Sequence, residues 1–515
     1  MTATVAATAA TTAHCAERLN ALPRAVLQTL RRGIEKESLR VRPDGSLATT
    51  AHPAALGSAL KHPRITTDFS ESQPELITGV HTDPERCLEE LTEIHQVVYR
   101  AIGDELLWAS SMPCRLPAEE EIPIGRYGAS NIGRMKTVYR IGLSHRYGRR
   151  MQTISGIHYN FSLPDRRSDD YFALIRNFRR HMWLLLYLLG ASPAVCSTFV
   201  AGRRHELQKL SADTLYLPYA TSLRMGRLGY QSDAQSALAV SYNDLASYAA
   251  SLEEALTKPY PPYEAIGVRK DGDYMQLATT LLQMENEFYS AIRPKRIIRP
   301  GERPLHALRD RGVEYVEVRL LDLDPFEPVG ITAQTMRFLD VFLLHCLLCD
   351  SPRDNPEELA AVIENKLRAA ARGREPGLKL VREANEVPLT EWAEEVLADC
   401  LPIAVALDLA NGGHAYRDAV GSAAAAVADP ARTPSARVLE AMRRDHGNSY
   451  VRFALAQSRA HRDAIMALPL APEVEERFAR MARESIDEQK RVEAADMLPF
   501  EAFRQLYLAP IRLSE

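Results

Sequence analysis

The sequence predicts an α+β fold: a sheet-bearing unit followed by a helical C-terminal part packed on it. Short runs before residue 330 alternate with the two-residue period of a strand, as in residues 156–162 and 314–319. From about Gln334 onward the chain is rich in Ala, Leu, Glu and Arg at helical spacing, as in residues 472–498, and strand signals become sparse. No Gly/Ser-rich or Pro-rich linker and no fixed-period repeat separates Glu35 from Arg319, so distant segments are expected to supply strands of one sheet. The expected division is a flexible tail at 1–14, the α+β unit at 15–340 and the helical part at 341–515.

The bulk numbers exclude several classes. Hydrophobic residues make up 46% and charged residues 25% of the 515, which is globular and neither disordered nor fibrous. The 63 basic and 67 acidic residues leave a net charge of −4, so nothing in the charge calls for nucleic acid or an anionic membrane. The first fourteen residues lack the basic and apolar regions of a signal peptide. The most apolar stretch, residues 182–189, is bounded by Arg179, Arg180, His181, Gly190 and Pro193, which makes it a buried helix rather than a membrane span. Seven cysteines, an odd and scattered number, form no disulfide framework and suit a reducing cytoplasm. Cys346 and Cys349 lie in an apolar helical run with no second CxxC, and read as buried thiols rather than a zinc site.

In chain order, residues 33–39 read as a strand with Glu35 and Glu37 on one face. Residues 68–75 add Asp68 and Glu75. Asp83 as N-cap, Pro84 at the first turn and the stripe Leu88, Leu91, Ile94, Val97 and Val98 predict a helix to about Ile102. Asn131 is expected to cap a helix that brings Tyr139, Arg140 and Leu143 near one another. Residues 151–163 alternate as one strand, or two joined at a bend, with Gln152, Ile154, Gly156, His158 and Asn160 on one side. Glu317 and Arg319 share a face of the strand at 314–319.

Each cluster has a structural reading beside the chemical one. Glu35 and Glu37, near Arg31, Arg32, Lys36 and Arg40, could be a solvated strand with weak surface ion pairs. His158 could be a hydrogen-bonded core histidine, and Glu317 with Arg319 an in-sheet ion pair. Taken together, Glu35, Glu37, Asp68, Glu75, His158 and Glu317 favour a divalent cation, because like charges on one face need neutralising. Oxygen donors predominate and cysteine is absent, which points to Mg²⁺ or Mn²⁺ rather than zinc. Arg319 is then placed to stabilise a transferring phosphoryl group. Neither GxxxxGK[ST] nor GxGxxG occurs. The basic cluster at 292–296, with Lys295 and Arg299, is either a solvated turn or a phosphate clamp. Tyr139, Tyr230 and Tyr289 could be core tyrosines; Arg140 and Arg224 are either surface charges or a pair suited to a substrate carrying carboxylates.

Six long segments occur in order: Gly33-Ile-Glu-Lys-Glu-Ser-Leu-Arg-Val41, Thr66-Thr-Asp-Phe-Ser-Glu-Ser-Gln-Pro-Glu-Leu76, Tyr127-Gly-Ala-Ser-Asn-Ile-Gly-Arg134, Met151-Gln-Thr-Ile-Ser-Gly-Ile-His-Tyr-Asn-Phe-Ser162, Tyr219-Ala-Thr-Ser-Leu-Arg224 and Ile292-Arg-Pro-Lys-Arg296. Together they closely resemble the bacterial glutamate–cysteine ligases of the proteobacterial type, strongly over about 30–330 and loosely beyond. The resemblance implies a glutamine-synthetase-like fold, whose curved, mostly antiparallel sheet forms a funnel for Mg²⁺ ions, ATP, L-glutamate and L-cysteine. It implies synthesis of γ-glutamylcysteine, the first step of glutathione formation, through γ-glutamyl phosphate. By position, the metal ligands would be Glu35, Glu37, Asp68, Glu75, His158 and Glu317, with Arg319 and Lys295 toward the nucleotide phosphates. Phe69, Tyr139, Leu143, Gln152, Ile154, Arg224, Tyr230 and Tyr289 would form the cysteine pocket, with Arg140 and Asn160 near the glutamate. A cytoplasmic monomer with small-molecule partners is expected. The alternatives are a ligase joining glutamate to a different amine and a non-catalytic metal- and nucleotide-binding protein.

Overall fold

A computed structural model describes residues 14–229, 233–236, 238–299 and 301–509. Six strands form the central sheet: β1 (Arg31–Glu37), β2 (Ile65–Thr67), β3 (Pro74–Ile77), β4 (Ile157–Ser162), β5 (Ile292–Lys295) and β6 (Tyr315–Leu321). Their spatial order is β5-β6-β4-β1-β3-β2, and every neighbouring pair is antiparallel. The expected single sheet drawn from distant segments is therefore present.

Alternation along the strands gives the sheet one apolar and one ionisable face. Ile34, Tyr159, Phe161, Val316 and Val318 are fully buried on the first, in the same core as Phe172, Ile175, Phe178 and Leu184. The latter four lie on a long helix, Ser168–Leu189, which contains the apolar stretch read as a buried helix. Among the described residues no helix is long and apolar enough to cross a membrane. Each such side chain taken out of water contributes roughly 1.5–3 kcal/mol, so register is strongly specified: a one-residue slip of β1 would turn Glu35 and Glu37 into this core.

Helix α1 (Pro84–Ala101) starts as expected, with the Asp83 carboxylate accepting from the Glu85 amide and Pro84 at the first position. Helix α2 (Asn131–Tyr147) starts one residue earlier than the sequence suggested. Ser130, not Asn131, is the cap and accepts from the Gly133 amide, while the Asn131 amide group donates to the Leu498 carbonyl at 2.9 Å. The expected strand at 151–163 also needs correction. Met151–Thr153 is a turn of 3₁₀ helix, and the strand begins at Ile157. A Cβ on Gly156 would overlap the Arg224 guanidinium, so the chain bends where that arginine crosses it.

Beyond β6 the chain is helical, from Ala333–Leu348 through Phe500–Leu508, interrupted by a hairpin at Lys379–Arg382 and Asn385–Pro388 that the sequence did not suggest. The expected boundary at 340/341 falls inside the helix Ala333–Leu348. The core continues across it, through Leu339, Phe342 and Leu344 to Leu397 and Leu407. Of the expected tail, residues 1–13 lie outside the described residues; His14 is helical and bonds Asp350 at 2.7 Å. Cys349 is not a free thiol beside Cys346: it forms a disulfide with Cys15, 334 residues away, while Cys346 stays buried and free.

Candidate active site

The ionisable face of the sheet gathers the acidic residues. In the strand register Glu35 stands opposite His158, Glu37 opposite Glu75, and Glu317 between Asn160 and Arg293. The His158 imidazole lies between two carboxylates, with Nδ1 at 3.2 Å from Glu35 and Nε2 at 3.7 Å from Glu37. Two trios could each hold a cation: Glu35, His158 and Glu317, and Glu37, Glu75 and His158, with donor atoms within 4.8 Å of one another in each. His158 is common to both. Asp68 belongs to neither, but its negative charge helps to raise Glu37 and Glu75, which sets it beside the second trio.

Burial excludes the alternative of a solvated strand. Glu37 and Lys36 are 3% exposed and Arg32 is 1% exposed. Burial and the neighbouring Asp68 push Glu37 up to about 8, and burial with Glu35, Asp68 and Glu37 raises Glu75 well above the usual carboxylate range. Glu317 goes the other way: burial opposes ionisation, but Lys295, Arg319 and His158 hold it well below that range. Burial likewise opposes ionisation of Glu35, which its hydrogen bond to His158 keeps low. Asn160 donates to Glu35 at 2.9 Å, while its own buried carbonyl oxygen has no hydrogen-bond partner. Clustered carboxylates, one imidazole and an orphaned buried oxygen fit a hard divalent cation such as Mg²⁺ or Mn²⁺.

A cationic rim adjoins the acids. Arg319 donates to Glu317 at 2.8 Å and Lys295 reaches the other oxygen of that carboxylate at 2.9 Å. The in-sheet ion pair read from the sequence therefore exists, and both cations keep about a quarter of their side chains exposed (23% and 28%). Arg293 belongs to the basic cluster read at 292–296, but its place against Glu317 was not foreseen. It stands opposite Glu317, is buried, donates to the Asn286 carbonyl at 2.9 Å, and its charge helps to hold Glu317 ionised. Its spacing of two from Lys295 on one short strand was the available signal.

Several of the expected pocket residues are linked to one another or to this face. Tyr139 and Leu143 are one turn apart on α2, and Tyr139 lies within electrostatic reach of Glu287, Arg293, Arg140 and Asp68. Arg140 donates to the Asp68 carbonyl and lies 4.5 Å over the Tyr127 ring. Gln152 donates to the Tyr289 hydroxyl at 2.6 Å. Phe69 and Ile154 are buried. Arg224 is not a surface charge: it is 1% exposed, donates to the Arg319 carbonyl at 2.8 Å and lies 3.9 Å from Asp322. Asp322, which accepts from the Ser192 and Ser222 hydroxyls at 2.6 and 3.1 Å, carried no local signal in the sequence. Tyr230 lies outside the described residues.

Comparison with known proteins identifies the family. The family model described as glutamate-cysteine ligase matches residues 17–369. A glutamate–cysteine ligase of Pseudomonas entomophila is 51% identical over 497 residues, covering 93% of this chain and 94% of its own, and one of Azotobacter vinelandii is 51% identical over 501 residues, again 93% and 94%. These alignments extend well past residue 350, where the motifs were loose. Among solved structures, a glutamate–cysteine ligase of Francisella tularensis in complex with AMP superposes with a TM-score of 0.89 at 38% identity, covering 93% of this chain and 97% of that one. A bifunctional glutathione synthetase of Pasteurella multocida gives 0.70 at 27% identity, covering 89% and 57%.

Proposed function

This chain belongs to the glutamate–cysteine ligase family, and we propose that it joins the γ-carboxylate of L-glutamate to the amine of L-cysteine, converting ATP to ADP and phosphate. The observation that carries this reading is the pair of carboxylate–histidine trios sharing His158 beside the cations Arg319 and Lys295. A carboxylate does not condense with an amine in water, because its oxygen leaves poorly. Attack of the γ-carboxylate on the terminal phosphorus of ATP, in line with departure of ADP, makes γ-glutamyl phosphate, whose leaving group is phosphate. The cysteine amine then attacks the acyl carbon, the C–N bond forms, phosphate departs and one amine proton is released.

Glu35, Glu37, Glu75, His158 and Glu317, with Asp68 alongside, would hold Mg²⁺ or Mn²⁺. Such a cation would supply charge neutralisation toward the nucleotide phosphates. Arg319 remains a cation because Glu317, Glu37 and Glu35 outweigh the effect of its burial. With Lys295 it would offset the charge that develops on the transferring phosphoryl group. Arg140 and Asn160 would orient the glutamate. Phe69, Tyr139, Leu143, Gln152, Ile154, Arg224 and Tyr289 would enclose the cysteine, limiting the water that could hydrolyse the acyl phosphate. Every one of these groups comes from one chain, so a monomer suffices. Five of the seven cysteines are free thiols, which suits a cytoplasmic setting, whereas the Cys15–Cys349 disulfide runs against it.

A coupled assay of ADP release tests the proposal. ADP is expected to appear in quantity only when glutamate and cysteine are both present. Equal turnover with 2-aminobutyrate or a diamine would move the assignment to a ligase with a different acceptor. ATP binding by calorimetry without ADP release for any amine would indicate a non-catalytic protein.

A further inference from the structure

Behind the proposed cysteine pocket runs a hydrogen-bonded chain that assigns roles to residues not so far connected with the reaction. Glu287 is its hub. One of its carboxylate oxygens accepts from Arg146 at 2.8 Å and from the Tyr147 hydroxyl at 2.7 Å, and the other accepts from the Gln283 amide at 2.7 Å. The Gln235 side-chain amide donates to the Tyr147 hydroxyl and to the Glu287 carbonyl, both at 2.9 Å, while its oxygen accepts from the Tyr289 amide at 2.9 Å. The rings of Tyr147 and Tyr289 meet edge to face, with centroids 5.4 Å apart. Tyr289 then accepts through its hydroxyl from Gln152.

The far end of the chain is fixed. The Arg146 and Glu287 side chains are both 0% exposed. The Arg146 guanidinium is further committed to the Gln276 side chain at 2.8 and 3.0 Å, to the Ala278 carbonyl at 2.6 Å and to the face of Tyr263 at 4.0 Å. Arg146 lies seven residues after Tyr139 and three after Leu143 on α2, so anchoring it also anchors the helix face that carries those two side chains. A pair this deeply buried is poor evidence of net stabilisation, but it specifies one arrangement sharply.

We infer that Tyr147, Gln235 and Glu287 are positioning residues for the acceptor amino acid: they fix Tyr289, and through it Gln152, in the geometry that selects cysteine, without touching the substrate themselves. The inference rests on the reading of Gln152 and Tyr289 as part of the cysteine pocket. Tyr147→Phe removes the hydroxyl that joins Glu287 to Gln235 but keeps the ring against Tyr289. Gln235→Leu removes the brace on the Tyr289 amide and keeps the side chain's approximate volume.

The test is a set of KM and kcat values for cysteine, glutamate and ATP in Tyr147→Phe, Gln235→Leu and Gln152→Ala, with 2-aminobutyrate as competing acceptor. For the first two variants the cysteine KM is expected to rise about tenfold, an effect on the pocket equivalent to one well-made hydrogen bond to the substrate. The glutamate and ATP KM values should change by less than about twofold and kcat by less than about threefold, with weaker discrimination against 2-aminobutyrate. If Gln152→Ala raises the cysteine KM while Tyr147→Phe and Gln235→Leu do not, the positioning role is overturned and the pocket stands. A parallel rise in all three KM values for Tyr147→Phe or Gln235→Leu also overturns it. If Gln152→Ala itself leaves the cysteine KM unchanged, the pocket assignment fails and the inference falls with it.

Discussion

Replacing Glu317 with alanine is expected to lower kcat about 10³-fold while the protein stays folded, as measured by ADP release at saturating Mg²⁺, glutamate and cysteine. The carboxylate does several things at once. It is a donor in one of the two trios, it bonds Arg319 and Lys295 through separate oxygens, and its buried charge sits between Asn160 on β4 and Arg293 on β5. Its removal would take away a proposed cation ligand and would also free Arg319 and Lys295 from their resting geometry. Stability should suffer little, by no more than about 2 kcal/mol, because Arg319 and Lys295 keep 23% and 28% exposure and can turn to solvent. Repulsion between Glu317 and Glu35 is relieved in the same step. Full turnover in this variant would remove Glu317 from the mechanism.

The opposite pattern is expected on the other face of the same sheet, where β1 carries Arg32. Arg32 pairs with Asp340 at 2.8 Å, both side chains are 0% exposed, and the Tyr159 hydroxyl donates to the same carboxylate at 2.7 Å. Asp340→Ala leaves a buried guanidinium and phenol with only the long contacts to the His81 and Met336 carbonyls, at 3.4 and 3.3 Å. The expected loss is about 3–5 kcal/mol in chemical denaturation, large for a single substitution. The pair is costly to break rather than valuable to have, so Arg32→Met combined with Asp340→Leu should recover most of the loss. The consequence for function is indirect: β1 carries Glu35 and Glu37 on its other face, and once folded the double variant should keep most of its activity. A loss below about 1 kcal/mol in Asp340→Ala would show that water reaches Arg32 there.

The acidic face was legible in the sequence because strand geometry is local. Glu35 with Glu37, His158 with Asn160, and Glu317 with Arg319 share faces by spacing alone, and the sheet registers bring them together. What failed to show depended on distant partners. Ser130 and Asn131 both have cap chemistry, and the choice between them was settled by Leu498, more than 360 residues away, which takes up the Asn131 side chain. The alternation through residues 151–163 suggested a continuous strand, but the bend at Gly156 answers to Arg224, whose guanidinium fills the space a side chain would need. Cys15 and Cys349 meet across 334 residues, beyond any local pattern. The chain through Glu287, Tyr147 and Gln235 was invisible for the same reason, since each of those residues by itself reads as an ordinary polar or core position. The family resemblance proposes the pocket residues; the groups that stand behind them depend on distant partners.

Mn²⁺ binding followed by electron paramagnetic resonance, in the presence of a non-hydrolysable ATP analogue, tests most directly whether this face is a cation cage. His158 is the donor common to both trios, so the account predicts that His158→Ala weakens Mn²⁺ binding by roughly 10–100-fold with the fold intact by circular dichroism. The same number of bound ions at the same affinity in wild type and His158→Ala would contradict it.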